Sequence, residues 1–218
     1  MARPYRVGRC IALAILLTTA LASTVRAEPA QPQNLVDAVW KVQQMNFAYR
    51  GYSTVYTCTG LRDKLEVIFK TLGARDGIEI TTYDCNDGSG QARFRIAFLS
   101  PVEATEENVR ALTTYDSKQV LIARSRGEPL PTAEDLPRFQ ASWQTISFAR
   151  DRKMRLSPGD CELVQQLRRF VLPYLSVRVE KDNVRCSQTS GNISAPRLTV
   201  AALIAADLEP EQAVRTQK

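Results

Sequence analysis

The feature that most restricts the fold of this chain is a pattern that occurs twice, at a constant offset of 101 residues. Self-similarity at a fixed offset indicates a structural unit that the chain uses more than once. Three anchors share this offset, namely residues 45–48 (MNFA) with 146–149 (ISFA), Cys85 with Cys186, and residues 89–91 (SGQ) with 190–192 (SGN). The pattern therefore predicts two halves with the same fold.

Each half contains an amphipathic helix that begins at a cysteine, Cys58 in the first and Cys161 in the second. The apolar residues that follow recur every three or four residues, which is the spacing of one helix face. Gly73 suits the position after the first helix, and residues 157–160 (SPGD) supply a cap, a proline and an acid to start the second. The predicted buried stripes are Leu61, Leu65, Ile68, Phe69 and Leu72 in the first helix, and Leu163, Val164, Leu167, Phe170 and Val171 in the second.

Short alternating runs follow each helix and predict strands. They lie at residues 78–80 and 177–179, and a further strand follows each Ser-Gly pair, at 93–99 and 198–204. With a strand before each cysteine, both halves have the order βαββ. We therefore expect an α+β fold of two repeated βαββ units in one pseudo-symmetric assembly, each unit held by one disulfide.

The expected organisation along the chain has six parts. They are a signal peptide (1–27), an N-terminal segment (28–41), the first repeat (42–100), an inter-repeat segment (101–141), the second repeat (142–206) and a flexible tail (207–218). Within the inter-repeat segment, the apolar run Val120–Ala123 is compatible with either a helix or a strand.

The beginning of the sequence resembles a secretory signal peptide. Three arginines precede an apolar run at residues 10–24, and small residues at Val25 and Ala27 suit cleavage after Ala27. The run is shorter than the roughly 20 residues that a helix needs to cross a bilayer. We expect a periplasmic or secreted protein without a transmembrane segment after cleavage.

Export explains the cysteine pattern. Without residues 1–27, four cysteines remain, and an even number in an exported chain is typical of disulfides. Because each helix start and the end of the following strand lie at the same edge of a βαββ unit, we expect the pairs Cys58–Cys85 and Cys161–Cys186.

Charge and composition exclude several classes of function. Cleavage removes four of the 29 basic residues and none of the 23 acidic ones, so the net charge falls from +6 to +2, and binding of nucleic acid is not expected. The chain has no histidine, which excludes Ser-His and Cys-His catalysis. No catalytic residue, cofactor or metal site is therefore predicted. The carboxylates left for a histidine-free hydrolase are Asp84, Asp87, Glu106, Glu107, Glu134 and Asp135, all typical of solvated charges.

Residues 84–90 (DCNDGSG) offer oxygen ligands and glycines in the manner of a calcium loop. However, a calcium loop of that type needs glycine at its sixth position, where this segment has Ser89. The corresponding residues of the second repeat, 185–191, contain no acid. The segment is better interpreted as a hairpin turn.

Aromatic residues cluster beside an arginine at Tyr49, Arg50, Tyr52 and Tyr56. This cluster is a candidate surface rim for stacking or for saccharide binding. The alternative is an edge strand with half-buried tyrosines.

Two blocks, Phe47–Arg75 (FAYRGYSTVYTCTGLRDKLEVIFKTLGAR) and Gly159–Pro173 (GDCELVQQLRRFVLP), resemble an uncharacterised family of small secreted or periplasmic proteins of Gram-negative bacteria. The resemblance implies export and no particular activity. We expect a non-enzymatic binding or interaction module of the cell envelope, whose partner is an unknown envelope protein or ligand. The alternatives are a carboxylate-based hydrolase and a structural or inhibitor protein.

Overall fold

The computed structural model describes residues 35–187 and 194–206. The predicted signal peptide (1–27), the repeat anchor at Ser190 and Gly191, and the predicted tail (207–218) lie outside the described residues. The first strand already begins at Leu35, so the second part of the expected N-terminal segment belongs to the sheet.

Six strands form one antiparallel sheet in the order β2-β3-β1-β4-β6-β5. The strand β1 is the longest because it pairs with two neighbours, with β4 over residues 35–39 and with β3 over residues 38–50. The strands are β1 (Leu35–Arg50), β2 (Glu79–Asn86), β3 (Gln91–Glu103), β4 (Arg138–Ser147), β5 (Val177–Asn183) and β6 (Arg197–Ala205).

Four α-helices complete the described chain. They are α1 (Cys58–Thr71), α2 (Glu106–Thr113), α3 (Ser117–Arg126) and α4 (Cys161–Phe170), with short 3-10 turns at Pro158–Asp160 and Leu172–Tyr174. The ambiguous run at 120–123 is helical, because Asp116 and Gln119 form a capping box at the start of α3. Over residues 35–187 and 194–206, every helix is too short or too polar to cross a membrane.

The fold is α+β, as the sequence predicts, and its two halves have the same order of elements. The first half runs β1-α1-β2-β3 with spatial order β2-β3-β1, and the second runs β4-α4-β5-β6 with spatial order β5-β6-β4. The halves meet where β1 pairs with β4, over residues 35–39 and 138–142.

The helices α1 and α4 bury their apolar residues in one common core with the strands. Met45, Phe47 and Tyr49 alternate along β1 into this core, as the two-residue period of a strand requires. Both predicted helix stripes are buried except for one residue, Phe170, which is 46% exposed at the end of α4.

The disulfides join Cys58 to Cys85 and Cys161 to Cys186, which are the pairs expected from the sequence. Their Cα atoms are 6.0 Å and 5.6 Å apart. Each bond ties the start of a helix to the region where the next strand ends.

Gly73 ends α1 in the way that its sequence position predicts. Its φ angle is +93°, and its N–H donates to Lys70 O while the Ala74 N–H donates to Phe69 O. This is the hydrogen-bond pattern of a Schellman motif, which favours glycine at this position. A Cβ atom here would lie 2.4 Å from the carbonyl oxygen of Leu203.

We expect Gly73→Ala to destabilise the protein more than Gly88→Ala does. Both residues have a positive φ, +93° and +95°, but a Cβ at Gly88 would meet nothing within 4 Å. Left-handed backbone strain alone costs about 1–2 kcal/mol. The loss of unfolding free energy in Gly88→Ala therefore measures this strain, and the additional loss in Gly73→Ala measures the clash with β6. Urea unfolding of both variants measures these losses of unfolding free energy. Equal losses would contradict the prediction and would show that the backbone near Leu203 moves to relieve the clash.

Candidate functional site

Asp160 is a buried carboxylate at the contact between the two halves, and its side chain is 2% exposed. It accepts hydrogen bonds from Lys64 Nζ at 2.6 Å, from the Ser157 N–H at 2.6 Å and from Ser157 Oγ at 2.8 Å. The Tyr56 hydroxyl donates a further hydrogen bond to it. Because Lys64 and Tyr56 belong to the first half, this carboxylate links the halves.

These contacts shift the pKa values of the groups involved. Burial opposes ionisation of Asp160, but the hydrogen bonds from Lys64, Tyr56 and Ser157 outweigh it and hold the pKa of Asp160 below its usual range. Burial, together with the hydrogen bond to Asp160, raises the pKa of Tyr56, and burial and the charge of Glu162 raise that of Tyr49. A general acid needs a raised carboxyl pKa, so the lowered pKa of Asp160 suits an ion-pair partner.

Glu162, also buried, fixes the loop that follows β1. Its carboxylate accepts hydrogen bonds from the backbone N–H of Tyr52 at 2.8 Å and of Ser53 at 3.1 Å. Thr54 Oγ1 donates to Gly159 O at 2.7 Å, and the Tyr49 hydroxyl donates to Thr54 O at 2.9 Å. The bonds to Glu162 and Gly159 therefore attach this loop to the start of α4.

The carboxylates considered for hydrolysis do not converge on a cleft. Asp84 pairs with Arg93, Glu106 pairs with Arg110, and the Thr132 N–H and hydroxyl hydrogen bond to Asp135 and hold its pKa below its usual range. All six are exposed, and they lie on β2 (Asp84), in the β2–β3 turn (Asp87), on α2 (Glu106, Glu107) and in the loop before β4 (Glu134, Asp135).

The structure does not bring the four residues of the predicted aromatic rim to one surface. Tyr49 is 2% exposed in the core, so the prediction is wrong for this residue. Tyr56 is half-buried and its hydroxyl is occupied by Asp160, whereas Tyr52 is 79% exposed in the loop. Arg50 is exposed at the end of β1, beside α4. The alternative, an edge strand with half-buried tyrosines, is met only in that Tyr49 belongs to a strand, because β1 lies between β3 and β4 in the sheet and Tyr49 is fully buried.

Residues 84–90 form the end of β2 and the turn into β3, as the hairpin interpretation expects. Asn86 pairs with Gln91, and Gly88 and Gly90 both have positive φ. Asp87 Oδ1 accepts a hydrogen bond from the Cys58 N–H at 2.7 Å, so it caps α1. Asp87 also lies near the sulfurs of Cys58 and Cys85, but these are joined in a disulfide.

The strand β1 has an open edge over most of its length. It pairs with β4 only at residues 35–39, whereas its pairing with β3 continues to Arg50. Pro137 precedes β4 and lacks an N–H, so the β4 ladder cannot continue beyond Arg138 through it. Within the described part of the chain, no strand pairs with this side of residues 40–50.

A groove of about 620 Å³ lies between this open edge and α4. Its volume is in the range typical of ligand sites in proteins. Two exposed aromatic rings, Phe170 (46% exposed) and Tyr174 (42% exposed), form part of its wall. The lining residues are Asn46, Ala48 and Arg50 of β1, Gln166, Arg169 and Phe170 of α4, and Pro173 and Tyr174 after it.

The groove is basic. Arg50 and Arg169 line it, and the lining includes no carboxylate. Over residues 35–187 and 194–206, neither arginine lies within ion-pair distance of an acid, while Arg169 rests over the Phe170 ring at 5.2 Å. Arg95, which is exposed and pairs across from Asn46, adds a third cation beside β1.

Sequence reasoning missed this groove. The helical period places Phe170 in the buried stripe, and only its position in the last turn, next to Arg169 and before Pro173, indicates that it lies at a surface. The alternation of Met45, Phe47 and Tyr49 is the signal that would have indicated that Tyr49 faces the core rather than a surface rim.

Comparisons of this chain with protein-family models, with curated proteins and with solved structures found no match.

Proposed function

We propose that this protein is a non-enzymatic binding module of the cell envelope and that the groove between β1 and α4 is its binding site. The observation that carries the proposal is the combination of an open strand edge, two exposed aromatic rings and unpaired arginines in one concave surface. Aromatic residues and arginine are the residue types that dominate binding energies at interfaces.

The buried polar groups support binding over catalysis. Asp160 and Glu162 are the buried carboxylates of the described residues, and both accept hydrogen bonds from groups of the first half. No buried side-chain nitrogen or oxygen in the described parts lacks a hydrogen-bond partner. A groove that is already formed lowers the ordering cost of binding a ligand.

The proposal includes export. Two disulfides suit an oxidising compartment such as the periplasm or the exterior. N-terminal sequencing of the protein from the cell envelope is expected to begin at Glu28, and a start at Met1 would contradict export by cleavage.

We further propose that the two halves are copies of one unit. The support is the common element order, the equivalent disulfides and the common spatial order of the strands in each half. An alignment of relatives in which residues 45–100 and 146–201 share no common profile would contradict a duplication.

We expect Phe170→Ala to weaken binding at the groove roughly fivefold or more, because it removes an exposed aromatic anchor. The fold should tolerate the change, since the ring is 46% exposed. The measurement is NMR titration with a panel of short peptides, oligosaccharides and inorganic phosphate, in which the best ligand should shift the amide signals of Asn46, Ala48 and Phe170.

Tyr83→Ala provides the matched control, because Tyr83 is 54% exposed on β2 and does not line the groove. It should bind the same ligand as tightly as the unchanged protein does. Signal shifts confined to other surfaces, or none at millimolar concentrations of every ligand class, would contradict the proposed site.

A further inference from the structure

We infer that the ligand of the groove is an extended polypeptide segment with acidic side chains, which adds to the open edge of β1 as a further strand. This inference rests on the proposed binding function and names its ligand class. Strand addition combines main-chain hydrogen bonds with side-chain pockets at alternate positions.

The hydrogen bonds of β1 show which main-chain groups are open. Asp37 O accepts from the Ala104 N–H at 2.7 Å, and the Gly51 N–H donates to Gly90 O at 2.7 Å. Odd-numbered residues of β1 therefore bond toward β3, and even-numbered residues present their N–H and C=O groups to the opposite side, as antiparallel ladders require. Asn46 and Ala48 line the groove, and the backbone N–H and C=O of each face away from β3, on the side where the groove lies.

At the end of this edge, the side chain of Gln166 on α4 supplies the hydrogen-bond partners of the β1 backbone. The Arg50 N–H donates to Gln166 Oε1 at 2.9 Å, and Gln166 Nε2 donates to Arg50 O at 2.7 Å. The carboxamide thus makes the pair of bonds that a residue of a neighbouring strand makes. The next even-numbered residues, Ala48 and Asn46, offer the same pair of groups to an incoming chain.

The edge strands β2 and β5 are irregular, whereas the open part of β1 is regular. The strand β2 has a bulge between Thr82 and Asp84, and β5 has one between Val179 and Lys181. Bulges and charged side chains are the usual devices that keep sheet edges from pairing. The β1 ladder is regular from residue 38 to residue 50, and its groove-lining residues before Arg50 are uncharged.

Charge selects an acidic segment. Arg50 and Arg169 are cationic, exposed and unpaired within the described ranges, and the groove contains no carboxylate. A carboxylate at an alternate position of the added strand forms charge-assisted, bidentate hydrogen bonds with a guanidinium. A lysine at the same position would meet like charge.

The probe is a seven-residue peptide that alternates valine with aspartate, compared with one that alternates valine with lysine. In fluorescence anisotropy, the oxidised protein should bind the aspartate peptide at least about tenfold more tightly than the lysine peptide, with the preference reversed in Arg50→Glu/Arg169→Glu. An equal affinity for both peptides, or an unreversed preference, would overturn the acidic specificity.

Main-chain pairing is tested by Ala48→Pro and by backbone methylation of the peptide. Proline removes an N–H that faces away from β3, so the β1–β3 ladder is kept, and binding of the aspartate peptide should fall at least about tenfold. Two methylated peptides are compared, one with methyl groups on the odd-numbered backbone nitrogens and one with them on the even-numbered nitrogens. Only the set that faces β1 should abolish binding when it is methylated, and the other set should leave binding unchanged. Equal effects of the two methylated peptides would overturn strand addition even if the proline variant does not fold.

The outcomes separate this inference from the proposed function. If another ligand class shifts the amide NMR signals of Asn46 and Ala48 while neither peptide binds, the groove is a binding site and the polypeptide inference is wrong. If no probe affects the groove, both proposals fail.

Discussion

Asp160→Ala is expected to destabilise the protein by about 3–5 kcal/mol, because it removes one partner of a buried ion pair. The side chain is 2% exposed, and its loss leaves Lys64, the Tyr56 hydroxyl and the Ser157 N–H without their common acceptor. Since these donors lie on both halves, the loss also weakens the contact between the halves. Calorimetry or urea unfolding of the oxidised protein measures the effect.

Asp63→Ala is the matched control for this prediction. Asp63 is also a carboxylate paired with a cation, Arg62, but its side chain is 63% exposed. Exposed ion pairs contribute little to stability, so the free energy of unfolding of Asp63→Ala should remain close to that of the unchanged protein. Similar losses in the two variants would show that Asp160 is no more important than a surface charge.

The contribution of Asp160 is expected to depend on pH. Its pKa in the folded protein lies below its usual range, so its stabilisation is fully present above the usual aspartate pKa of about 4 and is lost as the pH falls through the folded value. The stability difference between the protein and Asp160→Asn should therefore shrink below about pH 4. A difference that grows on acidification would contradict the lowered pKa.

Removal of either disulfide is expected to cost about 3.5 kcal/mol, as the chain-entropy model gives for loops of this length. The bonds join cysteines 27 and 25 residues apart. For a protein of this size, such a loss lowers the Tm by roughly 7–14 °C. The variants Cys58→Ala/Cys85→Ala and Cys161→Ala/Cys186→Ala test this by calorimetry.

The two disulfide variants should differ in a defined direction. Cys161 is buried in the common core, whereas Cys58 and Cys85 are half-buried. The second variant therefore also loses core packing and should be the less stable of the two. Non-reducing peptide mapping should find the remaining bond intact in each. A loss below about 1 kcal/mol in both would contradict the chain-entropy estimate.

Local rules predict much of this fold from the sequence. Helical spacing places Leu61, Leu65 and Leu167 in the core, where the structure has them. The cap of α1 at Gly73 and the turn at residues 87–90 depend on residue-specific backbone preferences, which neighbouring residues do not override. The disulfide pairs follow from the order of elements within each half.

The groove could not be predicted in this way because it depends on contacts between elements far apart in sequence. The edge of β1 beside Phe170 is open because the pairing of β1 with β4 ends at Val39 and Arg138. Asp160 is recognisable in the sequence as a helix-capping acid, but its contact with Lys64 requires the two halves to be assembled. Tertiary register therefore decides the site, while local preferences decide the elements.

The most direct test of the proposed site is hydrogen exchange, followed by NMR, with and without the alternating valine–aspartate peptide. Binding as an added strand should slow exchange at the amides of Asn46 and Ala48, which face the open edge, by about tenfold or more at saturation. The amides of Phe47 and Tyr49 bond toward β3 and should already be slow in the free protein. Unchanged exchange at Asn46 and Ala48 in a saturated complex would contradict binding at this edge.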